Sequence, residues 1–330
     1  NESFKIKKGK IRGEISMGMI CSEDELNLGN DKEGIMVLPN DSIVGKLASD
    51  YFQIEKDTIY EIGLTPNRSD AMCHIGVARD LKAVLNHNGY KLEMCLPKID
   101  SFIPENNNLS ISVKIEDPDL CPRYSGVCIS EICVKESPKW LQNRLKSIGV
   151  VPINNVVDIT NYVLHETGQP LHAFDLNKIQ GNQIIVKKQK NSTKFITLDE
   201  IEREIHKDDL MICNEKESMC FAGVFGGLES GVSNTTSSIF LESAYFNPIS
   251  IRKTSKRHNL NTDASFRFER GCDPNNTLFA LKRAALLIKE IAGGKISSEI
   301  FDFYPNNISS HTIELTYKNL DTLIGLKIKR

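Results

Sequence analysis

Asn154-Asn155-Val156-Val157-Asp158-Ile159-Thr160-Asn161-Tyr162-Val163 opens the stretch, 154–270, whose reading decides the fold. The spacing predicts a helix over 156–166, started by the Asn154-Asn155 turn. It runs into Gly168-Gln169-Pro170-Leu171-His172-Ala173-Phe174-Asp175 and then into short apolar runs. Their lengths predict strands at 183–188, 195–198, 210–213, 219–224 and 239–242. A glycine cluster, Phe221-Ala222-Gly223-Val224-Phe225-Gly226-Gly227, interrupts them, and Arg257-His258-Asn259-Leu260-Asn261-Thr262-Asp263-Ala264-Ser265 follows. Strands and helices without a regular strand–helix–strand alternation, and without an internal repeat, predict an α+β fold. Ionisable residues recur beside the apolar runs, as in a pocket assembled from segments far apart in sequence.

On either side the pattern is thinner. Residues 5–13 are basic and alternate like a lysine-protected edge strand, and Ser22 with Glu25 fits a helical cap. Residues 58–64 read as a strand, and Asp70 as the cap of a helix over 71–88. The recurrence of Ile75, Ala78, Leu81, Val84 and Leu85 there predicts a face packed on a core, ended by Gly89. Prolines and asparagines at 98–109 read as a linker. Strands are expected at 111–115 and 123–129. Beyond them a helix is expected with Ser137 as cap and Pro138 in its first turn, turning Leu141, Leu145 and Ile148 inward. A long helix over 277–291, closed by Gly293-Gly294, precedes a strand at 312–315. The open ends at Asn1 and at 326–330 read as cuts inside a longer protein.

With 330 residues the chain is about twice a usual domain, so two or three domains are expected. A net charge of -2 gives no bulk field toward nucleic acid or membrane, though a local patch still serves either. No apolar run approaches the ~20 residues of a membrane span. The nine cysteines contain no Cys-x-x-Cys pair, which argues against a disulfide framework or a zinc site and for reduced thiols in the cytoplasm.

The chemistry is narrowed mainly by what is missing. The glycine cluster has no Gly-Lys-Ser/Thr, so it is not a phosphate loop. Its glycines serve a tight turn or a close approach of backbone to ligand, and the residues alone do not choose. No Gly-x-Ser-x-Gly elbow or His-x-x-x-His spacing is present, which leaves positioned water as the reagent of any hydrolysis. His172, after its Gly-Gln-Pro turn, suits a base or a hydrogen-bonding group as well as a structural histidine. Glu242 ends an apolar strand, so it is expected buried and partnered. A substrate hydroxyl and a salt bridge to Arg267 or Arg270 both satisfy that requirement. Lys256, Arg257 and His258, with Arg252 and Lys253, form the strongest basic patch and suit phosphate contact as well as a solvated surface.

Five separated motifs, in order, resemble the beta subunits of bacterial phenylalanyl-tRNA synthetases. They are Lys10-Ile11-Arg12-Gly13 with Gly18-Met19-Ile20-Cys21-Ser22, then Gly63-Leu64-Thr65-Pro66-Asn67-Arg68-Ser69-Asp70, Asn155 to Val163, Gly168 to Asp175, and Arg257 to Gly271. The resemblance implies a multi-domain α+β piece. Residues 1–45 would be the end of an OB-type tRNA-binding domain, 46–100 part of a small α+β domain, 101–305 a mixed-sheet editing domain, and 306–330 the start of the next domain. It implies hydrolysis of tyrosine misattached to phenylalanine tRNA, with Glu242 reading the para-hydroxyl. His172, Thr160 and Asn161 would lie near the ester and terminal adenosine, and Gly226, Thr262 and Ala264 would shape the pocket. Lys256, Arg257 and His258 would meet nucleic acid. It also implies a partner alpha subunit in a two-alpha, two-beta assembly, and ATP and Mg2+ for the whole synthetase, with no cofactor or metal in this piece. A non-catalytic tRNA-docking or assembly module is the alternative. Two departures stand out: Asn259 where the family has glycine, and Ser69 where it has proline.

Overall fold

The computed structural model describes residues 6–26, 28–29, 31–52, 57–189 and 193–329; Lys5 of the basic segment and Arg330 lie outside them. The chain divides into two compact units, Asn1–Asp57 and Thr58–Arg330. In the first unit an exposed antiparallel hairpin pairs Gly9–Ile11 with Glu14–Ser16. Ser22 and Glu25 exchange the expected bonds (Ser22 N to Glu25 Oε2, 2.9 Å; Glu25 N to Ser22 Oγ, 3.3 Å), but on an isolated turn.

The second unit begins with helix α1 (His74–His87). Strands β1 (Ser112–Ile115) and β2 (Arg123–Ile132) follow, then helices α2 (Lys139–Ser147) and α3 (Asn155–Thr167). Next come β3 (Leu171–Asp175), β4 (Gln183–Lys188), β5 (Leu210–Cys213), β6 (Ser218–Phe221), the two-residue β7 (Phe225–Gly226) and β8 (Ile239–Tyr245). Helices α4 (Pro248–His258), α5 (Asp263–Phe268) and α6 (Thr277–Ala292) lead to β9 (Gly293–Ile296) and β10 (Phe301–Phe303).

Two five-stranded sheets result, beside a two-stranded antiparallel pair of Lys194–Ile196 with Glu202–Glu204. One has the order β7-β6-β5-β4-β1, parallel only between β1 and β4; the other runs β9-β2-β8-β3, with β10 also on β2. Strand periodicity sorts the second sheet's side chains between two cores. Tyr124, Cys128, Phe174, Phe240 and Ala244 face the first sheet, with Ile184, Ile212 and Phe221. Val127, Ile129, Ala173, Ile239 and Leu241 face the helical layer, with Leu145, Ile159, Val163 and Ala284. The protein is therefore α+β, with a sheet-on-sheet sandwich backed by helices.

Several expectations change. Residues 58–64 and 312–315 belong to no strand in the structure, and alternation alone does not make one. Asp70 does not cap α1. The Arg68 guanidinium holds its carboxylate through two bonds, at 2.9 and 3.0 Å, and Cys73 caps instead by accepting from Gly76 N. Gly76 is required there, since a Cβ would stand 2.0 Å from the Asp70 carbonyl oxygen. Leu81 and Val84 on α1 are exposed, as is Ile148 just beyond α2, while Leu141 and Leu145 are buried as expected. Pro138 is itself the cap of α2, without a side-chain bond.

Candidate functional site

Glu242 sits in the middle of β8, opposite Gly126 of β2 and His172 of β3. Its place in the alternation, between Phe240 and Ala244, turns it into the core between the two sheets. Directly opposite residues have Cβ atoms about 5 Å apart, so Glu242 and His172 are neighbours on one face. Glu242 is 5 % exposed and its Oε2 accepts from the Tyr124 hydroxyl at 2.7 Å. Burial raises its pKa to about 7, with the Tyr124 bond opposing the shift. The alternative of a salt bridge to Arg267 or Arg270 is not what forms: Arg267 pairs with Asp263, and Arg270 with Glu269.

His172 is half-buried as a residue, but its Nε2 is out of reach of solvent and has no partner among the described residues. Burial lowers its pKa to about 4, so the ring is neutral at pH 7. It packs edge-on against Phe174, with centroids 4.4 Å apart. From the facing sheet, Gly226 closes on it. A Cβ at that position would lie 3.1 Å from His172 Cε1 and 3.0 Å from Leu198 Cδ1. Gly226 has no positive φ, and what it allows is a close approach of backbone to the His172 and Leu198 side chains. Another orphaned polar atom lies three residues away: Gln169 Oε1 is buried without a partner, while Gln169 Nε2 donates to the Ala244 carbonyl at 2.8 Å. That bond ties the Gly-Gln-Pro turn to β8 and so fixes where His172 enters the sheet. Leaving such buried polar atoms without partners is costly.

Thr262 caps α5 by accepting from Ser265 N, and its hydroxyl donates to the Val224 carbonyl at 2.8 Å. This single side chain anchors α5 to the glycine loop, and Ala264 packs on the inter-sheet core beside it. Glu242, His172 and Gly226 thus form one cluster, with Thr262 and Ala264 joined to it through that loop. Thr160 and Asn161 lie on α3, in the helical layer, which contacts the strand carrying His172. Thr160 is buried and its hydroxyl donates to the Val157 carbonyl of its own helix.

The basic patch divides. Arg257 Nη1 and His258 Nε2 both hold the carboxylate of Asp209, the histidine at 2.6 Å. Asp209 is fully buried and also accepts from Thr254 Oγ1 and His206 N, each at 2.9 Å. Lys256, Arg252 and Lys253 are exposed. Asn259 takes the left-handed conformation (φ 53°) at the end of α4, so the turn expected of a glycine survives its replacement. Sequence reasoning missed Tyr124 and Asp209. Nothing in the strand pattern around Tyr124 separates it from an ordinary core tyrosine, and Asp209 looks like any turn residue before a strand. A cavity of about 360 Å³ bordered by Cys73, Arg79, Arg267 and Cys272 contains none of the expected site residues.

The B3/4 domain family matches residues 120–293. Phenylalanine–tRNA ligase beta subunits are similar over almost the whole chain. That of Bacteroides fragilis is 54% identical over 325 residues and that of Bacteroides thetaiotaomicron 55%, each covering 98% of this chain and 40% of the relative. That of Porphyromonas gingivalis is 52% identical over 330 residues, covering 99% and 40%. The chain therefore spans about 40% of the length of these curated relatives. An N-terminal fragment of the phenylalanyl-tRNA synthetase beta subunit from Pyrococcus horikoshii overlays at TM-score 0.40 and 16% identity, covering 80% of this chain and 71% of that one, a likeness that carries no argument. With the family match taking in β2 through α6, and with it every residue of the Glu242 cluster, the chain belongs to the B3/4 domain family in the form found in phenylalanine–tRNA ligase beta subunits.

Proposed function

We propose that the Glu242 cluster is a hydrolytic editing site that releases tyrosine from Tyr-tRNA(Phe) within a phenylalanine–tRNA ligase. One observation carries the reading: among the described residues the buried Glu242 carboxylate has a single neutral hydrogen-bond partner, the Tyr124 hydroxyl on Oε2, which leaves Oε1 for a ligand. An apolar pocket built for phenylalanine rejects an analogue that adds only a hydroxyl by roughly 10²-fold. A second site that must receive a hydroxyl donor supplies the missing selectivity, because phenylalanine would leave the carboxylate unpaired.

His172 is neutral at working pH and too weak a base to strip a proton from water outright. Its role is to orient water, or the ribose hydroxyl of the substrate, at the ester. Thr160 and Asn161 would meet the terminal adenosine, with Gly226, Thr262 and Ala264 bounding the aminoacyl group. Lys256, with Arg257 and His258 beside it, would face the phosphate backbone. The tRNA-binding, editing and flanking segments keep the limits 1–45, 46–100, 101–305 and 306–330 in this reading. In this reading ATP and Mg2+ belong to the whole ligase, with no cofactor or metal in this piece. They would act in the rest of the ligase, with the alpha subunit, in the cytoplasm. No helix among the described residues is long and apolar enough to cross a membrane.

The test is release of tyrosine from Tyr-tRNA(Phe) by the full ligase, wild type against Glu242→Ala, with Phe-tRNA(Phe) alongside. Loss of tyrosine release by at least about 100-fold, with phenylalanine charging intact, is the expected result. A wild type that spares Tyr-tRNA(Phe) would make this a non-catalytic docking or assembly module.

A further inference from the structure

Tyr124 is fully buried on β2, and its hydroxyl donates to Glu242 Oε2 at 2.7 Å. The register places Tyr124 opposite Ala244 and Glu242 opposite Gly126, so the two side chains are diagonal neighbours on one sheet face. Groups from every neighbouring strand face the same carboxylate. Cys121 before β2, Cys220 on β6 and Tyr124 itself are pushed well up, by burial first and then by the charge of Glu242, and they stay protonated. His172 on β3 stays neutral. Glu242, at about 7, is the member of this set that titrates near neutrality.

We propose that Tyr124 is the positioning residue of this site: by occupying Oε2 it fixes the carboxylate plane and leaves Oε1 as the acceptor that a hydroxyl-bearing aminoacyl group must satisfy. The inference rests on the hydrolytic reading above for its substrate, but not for its geometry. Without the tyrosine hydroxyl the carboxylate is free to turn, and a hydrogen bond favouring its charged form is lost. A protonated carboxyl then carries its own donor and no longer demands one from the ligand. Selectivity falls together with rate.

Two measurements on the full ligase test this. Tyr124→Phe keeps the ring and removes the donor. Its kcat/KM for Tyr-tRNA(Phe) at pH 7 should fall about tenfold, mostly through KM. The acid limb of its pH profile should move to higher pH, so the deficit narrows as pH rises. A purely structural role would lower activity evenly across pH, and an unshifted limb overturns the proposal. The second measurement needs no turnover. The infrared C=O band of protonated Glu242, identified by its loss in Glu242→Gln, is titrated in each protein. Its midpoint should rise in Tyr124→Phe and fall when 3-fluorotyrosine, a stronger donor of nearly equal volume, replaces Tyr124. Midpoints unmoved by either substitution overturn the proposal, including where Tyr124→Phe does not fold and only the fluorotyrosine protein is at hand. If the wild type leaves Tyr-tRNA(Phe) intact, the hydrolytic reading falls, and the infrared midpoints alone decide the part played by Tyr124.

Discussion

Four carboxylates are buried among the described residues of the second unit, Asp158, Asp175, Asp209 and Glu242, and the last two are treated in opposite ways. Asp209 is wholly buried and its oxygens meet the Arg257 guanidinium, the His258 ring, the Thr254 hydroxyl and the His206 amide. Glu242 is almost as buried and meets one phenol. A carboxylate surrounded by donors is finished; it fixes α4 against the strand that Asp209 precedes and has nothing left to offer a ligand. A carboxylate with one neutral partner is held at a cost, which protonation or a further donor relieves. The difference separates structure from site more sharply than burial does.

Removing Asp209 should have the largest effect. Asp209→Ala strands an arginine, a histidine and a buried threonine hydroxyl together, and breaking such a set costs about 3 kcal/mol or more. Urea unfolding of the chain measures it. A change under about 1 kcal/mol would mean that Asp209 is no hub, and the comparison would break at its firmer end.

Glu242 and His172 sharpen the comparison through pH. The folded state raises the Glu242 pKa from 4.5 to about 7, so below pH 4.5 its burial costs little, and stability is lost as pH climbs through 7. For His172 the shift is from 6.5 to about 4, so the burial of its neutral ring is free above pH 6.5, and stability is lost as pH falls toward 4. Each spans roughly 3 kcal/mol at about 1.4 kcal/mol per pH unit. The two slopes oppose each other over nearly the same window, so the wild type hides both. Glu242→Gln should expose stability rising from pH 4 to 6.5, and His172→Gln should expose stability falling from pH 4.5 to 7. Denaturant midpoints across pH 4 to 8 provide the check. Parallel curves for all three proteins would show that neither group is held in a perturbed state.

The sequence made the regular part of this picture readable. Strands at 183–188 and 210–213 coincide with β4 and β5, and α3 and α6 fall within a residue of their expected limits, because a core on one or both faces imposes its period on the chain. What failed was whatever depends on a partner. The run at 58–64 has strand composition and forms no strand, and Ala78, Leu81 and Val84 of the apolar series on α1 are exposed while Ile75 and Leu85 are half-buried. The site was legible in part for the same reason. Glu242 is marked by a charge inside an apolar strand, and His172 by its turn, but their adjacency is a matter of register between β8 and β3, 70 residues apart in sequence (242 − 172). Tyr124 and Asp209 act through contacts that no local pattern encodes.

The smallest expected effect concerns the basic patch, which the sequence presents as one feature and the structure divides. Arg257, although exposed as a residue, is bound to Asp209 and belongs to the finished carboxylate, whereas Lys256, one residue earlier, is exposed and takes no part in that set. If this face meets tRNA, Lys256→Ala should weaken binding by the full ligase and reduce the slope of log affinity against log salt by about one counterion or less. Protein stability should change by no more than about 0.5 kcal/mol. Arg257→Ala should do the reverse, lowering the unfolding free energy while leaving the salt slope nearly intact, since its guanidinium already faces a protein carboxylate. Filter binding of tRNA across a salt series, paired with urea unfolding of both variants, separates the two outcomes. Equal salt slopes for Arg257→Ala and Lys256→Ala, each below the wild type, would show that a cation engaged by Asp209 still contributes to the surface field. The line between finished structure and working surface would then have to be drawn at the individual nitrogen.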